Sequence, residues 1–494
     1  MNPCSLFCRL EEIGQQEAAA QMIKKLDEIT LHLETFASEG KCFARVDGFV
    51  VFVRGGVPGD DARVRIRKVK KQYAEADLME ILSPSPLRVT PRCKHCGTCG
   101  GCTWQHVDYP TQLVFKRQQV CDALKRLGGF DNLTVNPTLG SEHIYSYRNK
   151  MEFSFGTRWL TPDQLGARKH DGVAPPQEDR FALGMHPAGV YQKVIDLDEC
   201  HLPSDVCTTI LHLVRGYCRE RRLSIYSTIT HTGYLRNLVI RQSAYTGEVM
   251  VNLVTSEDRP EIMGPLCTML RAEVPAIATF VNNITQRKNL VALGDEERVY
   301  LGSGYITERI GKRVYRISAN SFFQTNTKQA ERVYDTARAF AELNPDDVVF
   351  DLYSGTGTIA LHIADGVKTV VGIESVAAAV DDARQNAVHN GVTNCTFVLG
   401  DLKERLTNDT AWLAQVPPPS VIIVDPPRAG IHEKVVREIL ALKPERLVYV
   451  SCNPMTQARD LKLMGHAYRI TAVQPVDMFP HTYHIENVVG MVRR

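Results

Sequence analysis

The sequence has no long uninterrupted hydrophobic run, and its charges nearly cancel. None of its apolar stretches approaches the roughly 20 residues that a membrane-spanning helix needs, so we expect no membrane segment. The N-terminal residues lack the apolar core of a signal peptide, which predicts a cytoplasmic protein. The formal net charge is only +2, so binding to nucleic acid has to be argued from local patches of charge.

Cysteine, by contrast, is abundant and clustered. The chain has 494 residues, enough for several domains, and 14 cysteines. Thiols that cluster in a reducing compartment indicate a metal site or catalysis before disulfides. The gaps between these thiols suit one iron–sulfur cluster or one zinc ion, and the residues alone leave both possibilities open. The cluster comprises Cys93, Cys96, Cys99 and Cys102.

Residues 29–81 contain short β-type runs separated by Gly/Pro turns, which predicts a small β-barrel of the OB kind. Arg63, Arg65 and Arg67 alternate along one of these runs, so a strand would place all three on one face. Such a face suits the phosphate backbone of a nucleic acid. A solvated strand face with no ligand is the alternative reading.

The middle of the chain mixes aromatic and basic residues with further β-type runs. In the stretch 145–153, Arg148 and Lys150 are candidates to contact phosphates while neighbouring tyrosines stack on bases. An ordinary strand with a basic edge explains the same residues. Residues 159–180 read as an exposed insertion, and the remaining segments up to residue 310 predict an α+β domain.

From Val348 the pattern changes to alternating strands and helices. The stretch 348–358 is predicted to form an apolar strand, a tight turn with Gly355 and Gly357, and the start of a helix. The glycines allow the backbone to approach a ligand closely, and the start of a helix is electropositive.

Acidic residues end the next three predicted strands, at Glu374, Asp401 and Asp425. Glu374 is placed to accept hydrogen bonds from ribose hydroxyls, and Asp401 is a candidate contact for an adenine amino group. Strand ends that carry acids or glycines at regular spacing predict a Rossmann-like domain with a nucleotide-type ligand at that edge.

A fifth strand, Val448 to Ser451, delivers Cys452 at its carboxyl end, directly before Asn453 and Pro454. Chemistry gathers at the carboxyl ends of strands in open parallel sheets, so this thiol is placed to react. A small buried core residue is the plain alternative, because structural cysteines are common.

Several of these motifs together resemble the RNA uracil-C5 methyltransferase family. They are Tyr147-Arg148-Asn149-Lys150, Phe322-Phe323-Gln324-Thr325-Asn326, the Asp-Pro-Pro-Arg run that begins at Asp425, the Ser-Cys-Asn-Pro run around Cys452, and His484-Ile485-Glu486-Asn487. The layout of residues 26–84, with the Pro58-Gly59-Asp60 turn before the basic run, resembles the TRAM domain that accompanies some members.

The resemblance implies roles for individual residues. Cys452 would be the nucleophile and Glu486 the base that removes a proton. The cysteine spacing resembles the [4Fe–4S] signature of a subset of the family, with Cys200 as a distant fourth ligand and Cys96 left as an extra thiol. The family often has Asn where this chain has Thr358, which weakens that single assignment. The implied contacts with S-adenosylmethionine are Gln324, Tyr353, Gly355, Thr358, Glu374, Asp401 and Asp425, and the implied cluster ligands are Cys93, Cys99, Cys102 and Cys200.

The sequence thus predicts a multidomain α/β protein. We expect an N-terminal extension (1–25), a TRAM-like barrel (26–84), a central α+β RNA-binding domain that carries the iron–sulfur site (85–310), and a Rossmann-like methyltransferase domain (311–494). The expected activity is methylation of carbon 5 of a uridine, with 23S rRNA favoured over tRNA as the substrate. No obligatory protein partner is indicated, and we expect a monomer.

Three other functions are open. An amino-methyltransferase also uses Asp-Pro-Pro, but it favours an aromatic residue where this chain has Arg428 and needs no thiol. A cytosine-C5 enzyme would use similar thiol chemistry within different motifs. A non-catalytic RNA-binding module would bind RNA without transferring a methyl group.

Overall fold

The computed structural model describes residues 23–160, 180–289, 292–407 and 411–494. The chain folds into two compact units. Unit 1 comprises the chain up to residue 97 together with 102–119 and 479–484, and unit 2 comprises 98–101, 120–478 and 485–494. Most of the predicted extension (1–25) and of the predicted insertion (159–180) lies outside the described residues. The predicted domain boundaries at residues 84 and 310 stay predictions.

Unit 1 contains a six-stranded sheet in the order β1-β5-β6-β4-β3-β2. Of the described pairs in this sheet, only β4–β6 is parallel. Alternate residues point inward and form an apolar core that includes Val51, Val64 and Ile66. The strands are β1 (Glu28–His32), β2 (Thr35–Phe36), β3 (Cys42–Val46), β4 (Phe49–Arg54), β5 (Asp61–Val69) and β6 (Tyr73–Ser83).

The predicted small barrel is confirmed as a strand-rich domain, but over the part of the chain that the structure describes it is not a closed barrel. Among the described residues no hydrogen-bonded ladder joins β1 to β2, so the sheet curves around its core without closing. The physical reason is that β2 has only two residues, and both pair with β3. The turn before β5 is held by the buried Asp60, which accepts hydrogen bonds from the backbone of Val57 and Ser85.

Unit 2 contains a seven-stranded sheet in the order β13-β12-β11-β10-β7-β8-β9. All neighbours are antiparallel except β11 and β12, which are parallel and are connected through a helix as such a pair requires. One face of this sheet shares an apolar core with two helices. The strands are β7 (Lys150–Thr157), β8 (Phe181–Met185), β9 (Ile195–Asp196), β10 (Leu235–Gln242), β11 (Val249–Thr255), β12 (Ile277–Ile284) and β13 (Glu296–Leu301), and a separate hairpin is formed by β14 (Tyr305–Ile310) and β15 (Arg313–Ser318).

A second seven-stranded sheet in unit 2 has the order β18-β17-β16-β19-β20-β22-β21. The first five strands in this order are parallel, as their continuous apolar runs predicted. The last strand of the chain inserts antiparallel beside the fifth. The strands are β16 (Val348–Leu352), β17 (Thr369–Glu374), β18 (Cys395–Leu399), β19 (Val421–Val424), β20 (Arg446–Ser451), β21 (Tyr468–Val476) and β22 (Glu486–Arg493).

The described residues form nine α-helices. A π-helical turn, Leu124–Gly128, follows the first helix. No described helix combines the length and the apolar character needed to cross a membrane. The helices are α1 (Tyr109–Ala123), α2 (Asp205–Glu220), α3 (Pro260–Glu273), α4 (Thr327–Ala341), α5 (Thr358–Ile363), α6 (Ala377–His389), α7 (Leu402–Thr407), α8 (Glu433–Leu442) and α9 (Pro454–Met464).

Candidate active site

The parallel strands of the second sheet in unit 2 end at one edge, and the turn after β16 shapes that edge. Gly355 and Gly357 both have positive φ angles, of 53° and 77°. A Cβ on Gly357 would come within 2.8 Å of the Phe397 ring, so only glycine fits there. Tyr353 also has a positive φ, of 65°, which is a strained conformation for a residue with a large side chain.

Glu374, at the end of β17, organises the same turn. Its Oε2 accepts a hydrogen bond from the Gly355 backbone at 3.0 Å. Its Oε1 accepts from the backbone of Ser375 and Val376. The carboxylate is therefore fixed in orientation before any ligand binds.

A cavity of about 140 Å³ lies at this edge, and three of the predicted cofactor residues line it: Tyr353, Glu374 and Asp401. An aromatic ring, two acids and apolar walls suit the adenosine part of S-adenosylmethionine, so the residues present fit that cofactor. Four other predicted cofactor residues are not among those that line this cavity: Gln324, Gly355, Thr358 and Asp425. The Thr358 hydroxyl is hydrogen-bonded to the Tyr334 hydroxyl at 3.1 Å.

Cys452 follows the last residue of β20 and is half-buried. The turn that presents it is hydrogen-bonded to the loop after β19, because Asn453 donates from Nδ2 to the Arg428 carbonyl at 3.1 Å. Asn453 also caps α9 through a hydrogen bond from the Met455 backbone. Pro454 is the first residue of that helix, where proline is favoured, so it starts a helix as well as ending the strand.

Glu486 reaches the same edge because β22 runs antiparallel to β20. Ser451 pairs with Asn487 across this ladder, so the residues one step beyond, Cys452 and Glu486, end neighbouring strands side by side. On its other side Glu486 pairs with Val476 of β21. Sequence analysis named both residues, but the antiparallel register that brings them together is a property of the fold.

Of the acids at this edge, Asp351 and Glu486 are buried and Asp425 is half-buried, and desolvation by burial dominates their electrostatics. Burial raises the pKa of Asp425 to about 7. Burial, with the nearby Asp425 charge, raises the pKa of Glu486 well above its ordinary value, against an opposing effect of Arg428. Asp351, on β16, has its pKa raised to about 8, chiefly by burial. Protonated forms of these acids therefore persist near neutral pH.

The same surroundings keep the Cys452 thiol protonated. Burial is the largest cause, and the charges of Glu486 and Asp425 add to it, so that the pKa of Cys452 is raised to about 11. Arg428 acts in the opposite direction. The resting thiol is consequently a weak nucleophile that needs its proton removed when it reacts.

Two residues position the Gln324 segment: Asn149, which sequence analysis quoted in a motif without giving it a role, and Glu308, which it missed. Asn149 donates from Nδ2 to the Gln324 carbonyl and to Thr327 Oγ1, each at 2.8 Å. Glu308 is fully buried and accepts from the Thr327 hydroxyl and from the backbone of Ala244. An acid at the inward position of β14, two residues from Ile306 and from Ile310, was the signal in the sequence that pointed to Glu308.

The predicted RNA-binding arginines of β5 do lie on the exposed face of their strand. Each one, however, is in an ion pair: Arg63 with Glu80, Arg65 with Glu28, and Arg67 with Glu75. In unit 2, Lys150 lies 3.6 Å from Glu152, and burial lowers its pKa. The Nε atom of Arg148 is buried without a hydrogen-bond partner among the described residues.

The predicted cluster ligands are distributed over both units. Cys93 and Cys102 belong to unit 1, and Cys99 and Cys200 belong to unit 2. Within the described ranges, no three His, Cys, Asp or Glu side chains come together as a metal site. Burial raises the pKa of Cys96 to about 11, with Cys93 adding to it. The described geometry therefore does not by itself support a cluster.

Comparison with known proteins shows which family the chain resembles. Residues 268–494 match the family model for tRNA (uracil-5-)-methyltransferases, and residues 26–79 match the TRAM domain. An uncharacterised RNA methyltransferase of Chlorobaculum tepidum is 45% identical over 95% of this chain and 97% of its own length. One from Porphyromonas gingivalis is 43% identical over 94% and 99%.

A solved structure matches the chain over most of its length. It is the tRNA (uracil-54, C5)-methyltransferase of Pyrococcus abyssi in complex with S-adenosyl-L-homocysteine. The match has a TM-score of 0.72 at 30% identity and covers 94% of this chain and all of the other. This chain belongs to the RNA uracil-C5 methyltransferase family. Like the rest of the family, it is an RNA methyltransferase that uses S-adenosylmethionine, and its first sheet is a TRAM domain.

The electrostatics around Cys452 predict how this methyltransferase reacts with an alkylating agent. Below the raised pKa of about 11, the thiolate fraction of Cys452 grows about tenfold per pH unit, and alkylation by iodoacetamide should follow it. At a pH high enough to ionise Glu486, replacing it with Gln removes a negative neighbour, lowers the thiol pKa and should speed alkylation by up to about tenfold. Mass spectrometry of the Cys452 peptide measures the rate.

Cys395 provides the internal control in the same digest. Burial raises its pKa to about 12 without a contribution from Glu486. Its alkylation rate should be the same in both proteins. An unchanged or slower rate at Cys452 in the Glu486→Gln variant would contradict the electrostatic account.

Proposed function

We propose that this protein methylates carbon 5 of a uridine in ribosomal RNA through a temporary covalent bond between Cys452 and carbon 6 of the uracil ring. The observation that carries the proposal is the antiparallel register of β20 and β22, in which Ser451 pairs with Asn487. That register supports a thiol and a carboxyl group acting on the same ring, at the same edge of the sheet as Tyr353 and Glu374, which line the cavity.

The residues of the cavity have separate tasks in holding the cofactor. Glu374 would bind the ribose hydroxyls through a carboxylate that three backbone N–H groups already fix. Tyr353 and Asp401 would enclose the adenine. We propose that the remainder of the cofactor is contacted by Gln324, Thr358 and Asp425. When bound, S-adenosylmethionine supplies an electrophilic methyl group, which an unactivated uracil does not attack.

Cys452 supplies the activation. Its thiol releases its proton to solvent and the thiolate forms a bond to carbon 6. The carbon 5–carbon 6 double bond breaks as this bond forms, which makes carbon 5 electron-rich enough to accept the methyl group. The raised pKa of Cys452 keeps the thiol protonated at rest, so deprotonation has to accompany substrate binding. Asp425 and Glu486 are the carboxyl groups whose charges influence this thiol most strongly.

Glu486 completes the reaction as the base. It removes the proton that carbon 5 still carries, the pair of electrons from that C–H bond restores the ring double bond, and the sulfur–carbon 6 bond breaks. The raised pKa of Glu486 favours this step, because a more basic carboxylate accepts a proton from carbon more readily. Overall, one methyl group replaces one proton, and the thiol is regenerated.

Ribosomal RNA is proposed as the substrate because the cysteine pattern resembles the subset of the family associated with large-subunit rRNA. Transfer RNA is the second candidate. The specific observation in its favour is the match over the full length of the Pyrococcus abyssi enzyme, a methyltransferase of uracil 54 in tRNA. The target base has to leave its stack in either case, so a loop or a flipped nucleotide is expected.

Deleting the gene should remove one 5-methyluridine from the RNA of the source cell. Complementation with the wild-type gene should restore it, and complementation with Cys452→Ala should not, because loss of a covalent nucleophile commonly costs about 10³-fold or more. Mapping 5-methyluridine separately in rRNA and tRNA identifies the substrate. Cys395→Ala is the matched control.

The outcomes of this mapping separate the candidates. Loss of the nucleoside from tRNA alone would overturn the ribosomal assignment. If no 5-methyluridine disappeared although the protein binds RNA, the chain would be a non-catalytic RNA-binding module. Full activity of Cys452→Ala would exclude the covalent mechanism.

Replacing Glu486 with Gln should trap the RNA on the protein. Addition and methylation precede the step that Glu486 serves, so the adduct through Cys452 should accumulate. Denaturing gel electrophoresis with labelled RNA would reveal a slowly migrating band that requires S-adenosylmethionine. The double variant Cys452→Ala, Glu486→Gln should lack this band, and its persistence would assign the bond to another residue.

We also propose a [4Fe–4S] cluster on Cys93, Cys99, Cys102 and Cys200. Three of these sulfurs accept N–H hydrogen bonds from nearby groups, as cluster thiolates commonly do: from the backbone of His95 and Gly101 and from the side chain of Gln105. Cys99 and Cys200 both pack against the same apolar core of unit 2. No step of the reaction depends on this cluster.

Anaerobic purification should yield about four iron and four sulfide per chain if this ligand set is right. Replacing Cys200 with Ser should lower the iron and sulfide content and bleach the visible absorption. Cys96→Ser should leave the iron content, the sulfide content and the absorption unchanged. Zinc without sulfide would overturn the iron–sulfur assignment.

A further inference from the structure

A second pocket in unit 2 lies at the start of α4 and takes no part in the proposed chemistry. It has a volume of about 70 Å³, half that of the cavity lined by Tyr353 and Glu374. We call it the α4 pocket. It is lined by residues of the segment 141–147, by Ala244 and by residues of the segment 326–332.

Two cations on the first turns of α4 give this pocket its charge. Lys328 donates to His143 Nε2 at 2.9 Å, and Arg332 donates to the Gly140 carbonyl at 2.6 Å. Both partners are neutral acceptors, since a nitrogen that accepts from an ammonium group carries no proton. Within the described ranges no ion pair includes Lys328 or Arg332. Neither cation therefore has an ion-pair partner among the described residues, although the Glu142 side chain also lines the pocket.

This arrangement differs from that of other basic groups in the chain. The arginines of β5, which lie on an exposed strand face, each have an acidic partner. A cation that already has an ion-pair partner gains less from a phosphate than one that lacks it. Lys328 and Arg332 are consequently better placed to bind an anion, and the Ser141 and Ser146 side chains that line the pocket are of a type that contacts phosphate oxygens.

An aromatic surface adjoins the pocket along the chain. Ala244 lines the pocket, and the next residue, Tyr245, is 53% exposed. The guanidinium of Arg309 lies 3.8 Å from the centre of the Tyr245 ring. A stacked Tyr–Arg pair is a platform for a nucleobase, so the neighbouring anion site fits a nucleic-acid phosphate better than a free inorganic anion.

The pocket is also fixed to the Gln324 segment of the candidate active site. The buried carboxylate of Glu308 accepts from the backbone of Ala244 and from the hydroxyl of Thr327, and so joins the two walls. Asn149 holds Thr327 and the Gln324 carbonyl together. An anion bound here would have a fixed position relative to Gln324.

We infer that the α4 pocket binds a backbone phosphate of the RNA substrate through Lys328 and Arg332, with a flanking base stacked on Tyr245. The inference rests on the proposed function in that its ligand is the RNA that is methylated. It adds a phosphate-binding site on the unit that carries out the reaction.

The test is RNA affinity without the cofactor. Fluorescence anisotropy with a labelled single-stranded RNA that contains uridine should show about tenfold weaker binding for the double variant Lys328→Ala, Arg332→Ala, as expected for lost charge-assisted hydrogen bonds. The slope of log affinity against log salt should fall in magnitude by about 0.7, the value for one phosphate contact on a single strand. Lys328→Arg should retain most of the affinity.

Arg338→Ala is the matched control, because Arg338 lies on the same helix, is exposed, and pairs with Asp335 at 3.3 Å. It should leave both the affinity and the salt slope unchanged. Equal losses in the control and the double variant, or no loss in either, would overturn the inference. A different result would indicate that the pocket binds a free anion. Inorganic phosphate would then raise the melting temperature of the wild type but not of the double variant, and the two proteins would bind RNA with equal affinity.

A second readout keeps this inference separate from the proposed function. The kcat of the double variant at saturating RNA should stay within about twofold of wild type. The phosphate contact stabilises the bound substrate and the transition state equally, so its loss raises KM without lowering kcat. Should wild-type protein bind RNA through Lys328 and Arg332 yet transfer no methyl group, the proposed function would fail and the phosphate site would stand.

Discussion

The antiparallel ladder between β20 and β22 is the constraint on which the candidate active site depends. Parallel strands bring Gly355, Glu374 and Asp425 to one edge of the sheet through their carboxyl ends, but a residue at the amino end of a strand reaches that edge only if its strand runs the other way. β22 does so, and its pairing of Ser451 with Asn487 sets Glu486 beside Cys452. A shift by one residue would turn Glu486 to the opposite face of the sheet. Strand order and direction thus determine the chemistry as much as residue identity does.

Burial of acids at this edge opposes stability and favours function. Asp351 and Glu486 are buried and Asp425 is half-buried, and desolvation by burial is the largest cause of the raised pKa of each. The apolar core formed by the neighbouring strands, which includes Phe350 and Tyr449, supplies the stability that offsets this cost. A site that was optimised for stability alone would replace such acids with apolar residues. Acids that reduce stability, in a fold that is otherwise consistent, indicate a functional site.

The sequence predicted features whose cause is local and missed those whose cause is long-range. Buried parallel strands are continuous apolar runs, so the strands that end at Glu374, Asp425 and Cys452 were recognisable one at a time. The alternation of Arg63, Arg65 and Arg67 also follows from the period of a strand. Their partners do not, because Glu28 and Glu80 come from other strands whose register is set by the whole sheet. Whether the first sheet closes into a barrel could not be predicted for a similar reason. Closure depends on the length of β2 and not on the pattern of any one strand.

The same distinction explains why the net charge is a poor guide to where this protein meets RNA. A net charge of +2 conceals cations that are neutralised by ion pairs and cations that are not. The alternating arginines of β5 suggest an RNA-binding face in the sequence, yet acidic partners already balance their charges. Lys328 and Arg332 are inconspicuous in the sequence, yet in the fold they face neutral acceptors in a pocket whose walls are joined by Glu308. A phosphate gains most from charges that no neighbour has balanced, so the pairing of each cation, more than the number of cations, indicates the surface that binds the substrate.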